Sequence, residues 1–263
     1  MGLLSVIRKQ KRRDREVRVL VLGLDNAGKT TIVRRLLGDD EAAVRRTAPT
    51  EGFCIRTLVL KGGYRFHFWD IGGQRALRSY WRNYFERTDA IIWVVDATTP
   101  HRIKGEAAQE LAALLSEPSL YQVPLLIIAN KMDLLAAEPV SSVRKALGID
   151  AFCVAGAAAT IATATIATPT SRRTPLEANQ QTASDTMAST WAQAWPADEL
   201  SQLDGRRPIH VMPCSAYTGE GLSNALDWLA QQAIQRLYRF DTRGDLRSSP
   251  SCVLSEQQHS VAL

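Results

Sequence analysis

Cysteine is scarce in this chain: Cys54, Cys153, Cys214 and Cys252 are scattered over 263 residues with neither metal-ligand nor redox spacing. That excludes zinc-finger and dithiol-redox chemistry, and the four are read as reduced thiols. Long apolar runs are lacking too. None approaches the ~18 residues that span a bilayer, so no membrane-spanning helix is predicted. With no secretory leader either, the expectation is a soluble cytoplasmic protein. What remains is ordinary for a globular fold, with 45% hydrophobic and 22% charged residues. The net charge of +5 is partly local. Arg8, Lys9, Lys11, Arg12, Arg13 and Arg15 face only Asp14 and Glu16 in an amphipathic basic helix predicted over 1–16. Such a run serves an anionic membrane surface or an acidic partner, or is simply a solvated helix face.

Hydrophobic patterning predicts strands at 17–22, 53–60, 64–70, 91–96, 125–129 and 209–213. Segments 53–60 and 64–70 flank Lys61-Gly62-Gly63 and form a hairpin. Segments 91–96 and 125–129 are almost wholly apolar, as in strands buried on both faces of a parallel sheet. Helices are predicted at 29–37, 106–115 and 223–238. The alternation gives an α/β fold: a doubly wound, mainly parallel six-stranded sheet flanked by helices. The domain occupies 17–150 and 208–240. Between these parts, 151–207 begins with an Ala/Thr/Ile run and continues rich in Pro, Ser, Thr and Gln, a composition that predicts disorder. The polar tail 241–263 is predicted disordered for the same reason.

The stretch GLDNAGKT at 23–30 matches G-x-x-x-x-G-K-[ST] between a strand and a helix. In that setting the backbone of Gly23, Asp25, Asn26, Ala27 and Gly28 curls around phosphate, Lys29 reaches the β- and γ-phosphates, and the Thr30 hydroxyl binds Mg²⁺. Thr31 is placed at the α-phosphate. The loop alone does not separate ATP from GTP. Asn130-Lys131-Met132-Asp133 does, because a carboxylate accepts both the N1–H and the exocyclic N–H of guanine, and adenine offers no such donor pair. Asn130 bridges toward the loop, the Lys131 stem covers the ring, and Ser215-Ala216 supplies a further base contact, the Ala216 N–H aimed at guanine O6. In Asp70-Ile71-Gly72-Gly73-Gln74, Asp70 holds Mg²⁺ through water, the Gly73 N–H meets the γ-phosphate, and Gln74 is the catalytic candidate that orients the attacking water. Thr50 is the second hydroxyl for Mg²⁺. Its contact requires the γ-phosphate, which makes it a switch.

GLDNAGKTT at 23–31, PTEGF at 49–53, WDIGGQ at 69–74 and NKMDL at 130–134 together resemble the Arf family of small GTPases. LRSYWRNYFE at 77–86 and IIWVVD at 91–96 look most like its ADP-ribosylation-factor-like 2 subfamily, with the related factor-like 3 group as the near alternative. The resemblance implies an effector surface of Phe53, Trp69 and Tyr84, the alternative being a buried aromatic cluster. It further implies a 53–70 hairpin that shifts register on GTP binding and displaces the N-terminal helix. Partners implied are tubulin-folding cofactor D, carriers related to the prenyl-binding delta subunit, and activating and exchange proteins. The chain departs from the pattern twice. Gly2 invites acylation, but Val6 stands where the acceptor pattern wants Ser or Thr, so weak or no lipid anchoring is expected. The 151–207 segment is the other departure, either a lineage-specific insertion or a translated intron.

The expectation is a monomeric GTP/GDP switch with slow intrinsic hydrolysis and no nucleic-acid partner. It regulates tubulin folding and microtubule biogenesis, the release of lipidated cargo, or both. The competing reading is a nucleotide-gated binding module whose hydrolysis is functionally minor.

Overall fold

The computed structural model describes residues 10–149 and 207–239. The predicted disorder of 151–207 and 241–263, and the start of the N-terminal helix, fall outside those residues apart from Arg207. Residues 10–14 are helical, as expected.

Six strands form one sheet in the order β2-β3-β1-β4-β5-β6. They are β1 (Glu16–Gly23), β2 (Phe53–Val59), β3 (Arg65–Ile71), β4 (Ala90–Asp96), β5 (Leu125–Asn130) and β6 (Ile209–Pro213). Only β2 runs antiparallel, paired with β3 across the turn Lys61–Gly63, where Gly62 and Gly63 both adopt positive φ. The helices are α1 (Lys29–Leu36), α2 (Glu41–Arg45), α3 (Arg75–Arg78), α4 (Ala108–Leu115), α5 (Val140–Ala146) and α6 (Leu222–Arg239). The helix predicted from 106 opens differently: Ile103–Ala107 is a π-helical turn, and regular α-geometry starts at Ala108.

The two-residue period of the strands divides the core. Leu20, Leu22, Ile91, Trp93, Leu125 and Ile127 face the layer that holds Leu111 and Leu114 of α4. Val19, Val21, Ile92, Val94, Leu126 and Ile128 face the layer that holds Ile32 of α1 and Leu229 and Ala233 of α6. Both faces of the central strands are therefore covered, which is why their sequences are continuous apolar runs. Each large side chain so buried contributes about 1.5–3 kcal/mol.

Parallel pairing sets the position of the site. Val21 pairs with Asp70, Gly23 with Val94, Asp96 with Asn130, and Ala129 with Pro213. The residues that leave β1, β3, β4, β5 and β6 thus emerge along one edge, the carboxyl edge where ligands of such sheets bind.

Candidate functional site

The loop after β1 ends at Gly28, whose φ of 93° caps α1. A side chain there is excluded twice over: the backbone is left-handed, and a Cβ would lie 2.2 Å from Asn130 Nδ2. Asn130 is 1% exposed and ties the loop to both base motifs. Its Nδ2 donates to Ala27 O at 2.8 Å, and its Oδ1 accepts from the Ala216 N–H at 2.9 Å. The N–H expected to meet guanine O6 is therefore already engaged, and a base oxygen would share it. Ser215 Oγ donates to Asp133 Oδ1 at 2.6 Å, which fixes the exposed carboxylate expected to select guanine. Lys131 Nζ donates to Asp96 Oδ2 at 2.6 Å, which anchors the far end of its stem. Burial pushes the Asp96 carboxyl up, but Lys131 and Thr98 outweigh it and hold it below the usual range.

Lys29 is 6% exposed and donates to Gly23 O at 2.9 Å and Leu24 O at 2.8 Å. Burial lowers its pKa to about 8 against the pull of Asp70 and Asp25. A phosphate at this loop would favour the charged form. Gly73 is pressed against the same loop. A Cβ on it would sit 2.4 Å from both Gly23 O and Lys29 Nζ, and its carbonyl accepts from the Asp25 N–H at 3.1 Å.

Thr30 Oγ1 donates to Asp70 Oδ2 at 2.7 Å, and Thr50 Oγ1 lies 2.7 Å from Thr30 Oγ1 and donates to Asp70 Oδ2 at 3.3 Å. Asp70 is 2% exposed, and its Oδ1 is buried with no hydrogen bond among the described residues. Burial raises the Asp70 pKa, against hydrogen bonds from Thr30 and Thr50 and the charge of Lys29. Two hydroxyls and a carboxylate with a spare buried oxygen form a hard-cation donor set. The spacing suits Mg²⁺, whose octahedral ligands at about 2.1 Å lie about 3 Å apart. Thr30 and Thr50 would hold the ion directly and Asp70 through water. It would supply charge neutralisation at the phosphates.

Asp25 departs from expectation. Its backbone lies in the phosphate loop, but its carboxylate is bound to arginine: Oδ1 accepts from Arg102 Nη2 at 2.6 Å and from Arg78 Nη2 at 3.4 Å. Burial pushes its pKa up, and the bond to Arg102 pulls it below the usual value. Gln74 is exposed, just before α3, and follows the tightly held Gly73. Thr31 is half-buried in the first turn of α1, and Asn26 is exposed at a φ of 59° in the loop.

The proposed effector residues do converge. Phe53 stacks on Trp69 at 5.7 Å between ring centroids, and Tyr84 lies 5.3 Å from Phe53 and 6.1 Å from Trp69. Phe53 is 48% exposed, while Trp69 and Tyr84 are half-buried against the core. The Arg18 guanidinium covers Trp69 from 3.8 Å. The cluster is thus a surface patch with buried roots.

Sequence reasoning missed Asp96, Arg78, Arg102 and Glu106. Asp96 could have been found, as a lone carboxylate ending a buried strand beside Asn130. The other three carry no local signal.

The ADP-ribosylation factor family profile matches residues 3–173. ADP-ribosylation factor-like protein 2 of Arabidopsis thaliana is 36% identical over 92% of this chain and 100% of its own length. The protein of the same name from Dictyostelium discoideum is 35% identical over the same shares. ADP-ribosylation factor-like protein alp41 of Schizosaccharomyces pombe is 50% identical over 58% of this chain and 79% of its own. Among solved structures, the Arl6 small GTPase of Trypanosoma brucei with the bound nucleotide analogue GppNp shares the fold. Its TM-score is 0.57 at 21% identity, over 84% of this chain and 99% of that one. With its phosphate loop, base motifs and metal-binding hydroxyls converging on one sheet edge, this chain belongs to the ADP-ribosylation factor family of small GTPases, GTP-binding switches that hydrolyse GTP to GDP and act through effectors and regulators.

Proposed function

We propose that this GTPase is slow on its own. In its GTP form it recruits partners through Phe53, Trp69 and Tyr84, acting in tubulin folding and microtubule biogenesis, in the release of lipidated cargo, or in both. One relationship supports the reading above others. Thr50 of the metal site lies three residues before Phe53 at the start of β2, and Asp70 directly follows Trp69 within β3, so a change at the γ-phosphate reaches the aromatic patch along a few residues of backbone. Movement of the β2–β3 hairpin between two registers would transmit it.

Slow intrinsic turnover is supported by the engagement of the nearby arginines. Arg45 bonds Glu41 and lies over Tyr217, Arg46 donates to Ala42 O, and Arg78 and Arg102 are held by carboxylates. An arginine supplied by a partner accelerates comparable systems by up to ~10⁵-fold. The resemblance to the factor-like 2 subfamily points to tubulin-folding cofactor D and prenyl-binding delta-like carriers as the partners. Val6 supports a cytoplasmic protein with little lipid anchoring.

Affinity capture with Gln74→Leu and Thr30→Asn tests the proposal. The first should retain these partners and the second should not. Equal capture by both would remove nucleotide gating from the account.

A further inference from the structure

Arg78 is an arginine that the fold places in the interior. Its side chain is 7% exposed. Nε donates to Gly73 O at 3.0 Å, Nη1 to Glu110 Oε1 at 3.3 Å, and Nη2 to Glu106 Oε2 at 3.1 Å and Asp25 Oδ1 at 3.4 Å. Arg102 closes the circuit from the other side, bonding the Asp25 carboxylate and, at 3.3 Å, the Asp25 carbonyl. Three segments far apart in sequence are joined by this one network: the phosphate loop through Asp25, the segment after β3 through Gly73, and the turn before α4 through Arg102 and Glu106. Glu106 lies in the π-helical turn Ile103–Ala107, a local widening that recurs at functional sites, and Arg102 directly precedes it.

The bond to Gly73 O has a specific consequence. That carbonyl belongs to the peptide whose N–H is Gln74's own, so fixing it fixes the plane from which Gln74 leaves the backbone. Gly73 O accepts both the Asp25 N–H and Arg78 Nε, which pins the plane from two directions. Glu106 and Glu110 hold the guanidinium fork in the orientation that presents Nε to Gly73.

We propose that Arg78 is a positioning residue for GTP hydrolysis, acting through Gly73 to set Gln74 against the phosphate loop, with Glu106 and Glu110 as the groups that orient it. The proposal rests on Gln74 as the water-orienting residue. Loss of the clamp lets Gln74 drift, and an error of about 1 Å at a reacting group costs about 10²-fold in rate.

A double-mutant cycle in the full chain tests it, reading single-turnover GTP hydrolysis together with GDP affinity and Tm for Arg78→Gln, Gln74→Leu and the pair. Arg78→Gln should slow hydrolysis about 10- to 100-fold with GDP affinity within about threefold of wild type. In the Gln74→Leu background it should add less than about twofold, because residues that act as a unit are not additive. Arg78→Lys keeps the buried charge but not the Nε–H aimed at Gly73. It should show the same defect, and it replaces Arg78→Gln in the cycle should that variant not fold. Wild-type hydrolysis in either folded variant, or a full multiplicative loss in the Gln74→Leu background, overturns the positioning role. Wild-type hydrolysis by Gln74→Leu alone overturns instead the reading of Gln74 on which it stands.

Discussion

Thr30 Oγ1 and Thr50 Oγ1 stand 2.7 Å apart although twenty residues separate them in sequence. One lies in the first turn of α1, fixed by the core; the other lies in the loop before β2, where its hydroxyl bonds Thr30 and Asp70. Whatever occupies the site therefore decides where Thr50 lies, and Phe53 begins β2 three residues later.

Thr50→Ala removes the loop half of that pair. GDP affinity should stay within about twofold of wild type. Affinity for a non-hydrolysable GTP analogue should fall about tenfold or more, in line with the about 1.5–3 kcal/mol of a hydrogen bond to a charged group. Competition titrations with the two nucleotides in excess Mg²⁺ measure this directly.

Gly73→Ala puts a methyl group 2.4 Å from Gly23 O and Lys29 Nζ. Backbone on one side leaves little room to yield, and overpacking of this kind costs about 1–3 kcal/mol. The segment after β3 must then stand off the loop. GTP-over-GDP preference should drop about tenfold while Tm with GDP bound changes little; an unchanged preference would show that Gly73 does not approach the phosphate.

Lys29, with its pKa lowered by burial to about 8 from 10.5, makes nucleotide binding depend on pH. Bound phosphate favours the charged lysine, so above pH 8 binding takes up a proton. GDP affinity should be level below pH 7.5 and fall toward tenfold per pH unit above about 8. The nucleotide-free fold shows the opposite sign. Its native state binds fewer protons than the unfolded chain between pH 8 and 10.5, so the Lys29 contribution to stability rises with pH there. Fluorescent-GDP titrations from pH 7 to 9, with urea melts of the nucleotide-free protein, read both trends.

Phe53→Ala separates surface from core. Because the ring is half-exposed, the variant should lose about 1 kcal/mol or less of stability. Binding of GTP-dependent partners should weaken about 30-fold or more, the scale of an aromatic hot spot worth at least 2 kcal/mol. A Tm loss without a binding loss would make the patch structural only.

Much of the molecule was legible because its requirements are local. GKT at 28–30 and NKMD at 130–133 each need particular side chains at particular backbone turns, so the residues declare themselves. β4 and β5 were legible because burial on both faces leaves no polar position before their last residue. The ends of Asp25 and Ala216 were not. Whether a carboxylate faces phosphate or an arginine, and whether an N–H is already taken by Asn130, depends on neighbours about 80 residues away. Arg78 was the least legible of all. Within LRSYWR an arginine reads as a solvated residue, and only three carboxylates from two other segments make its burial tolerable. The short helices α2 and α5, five and seven residues long, fell below the length at which apolar periodicity can be seen.

Amide hydrogen exchange of the full chain, compared between GDP and a non-hydrolysable GTP analogue with Mg²⁺ present, tests the switch most directly. The account predicts strong protection of residues 48–55 and 71–78 with the GTP analogue and its loss with GDP, while β4 and β5 stay equally protected in both. Identical exchange of residues 48–55 in the two states would contradict it.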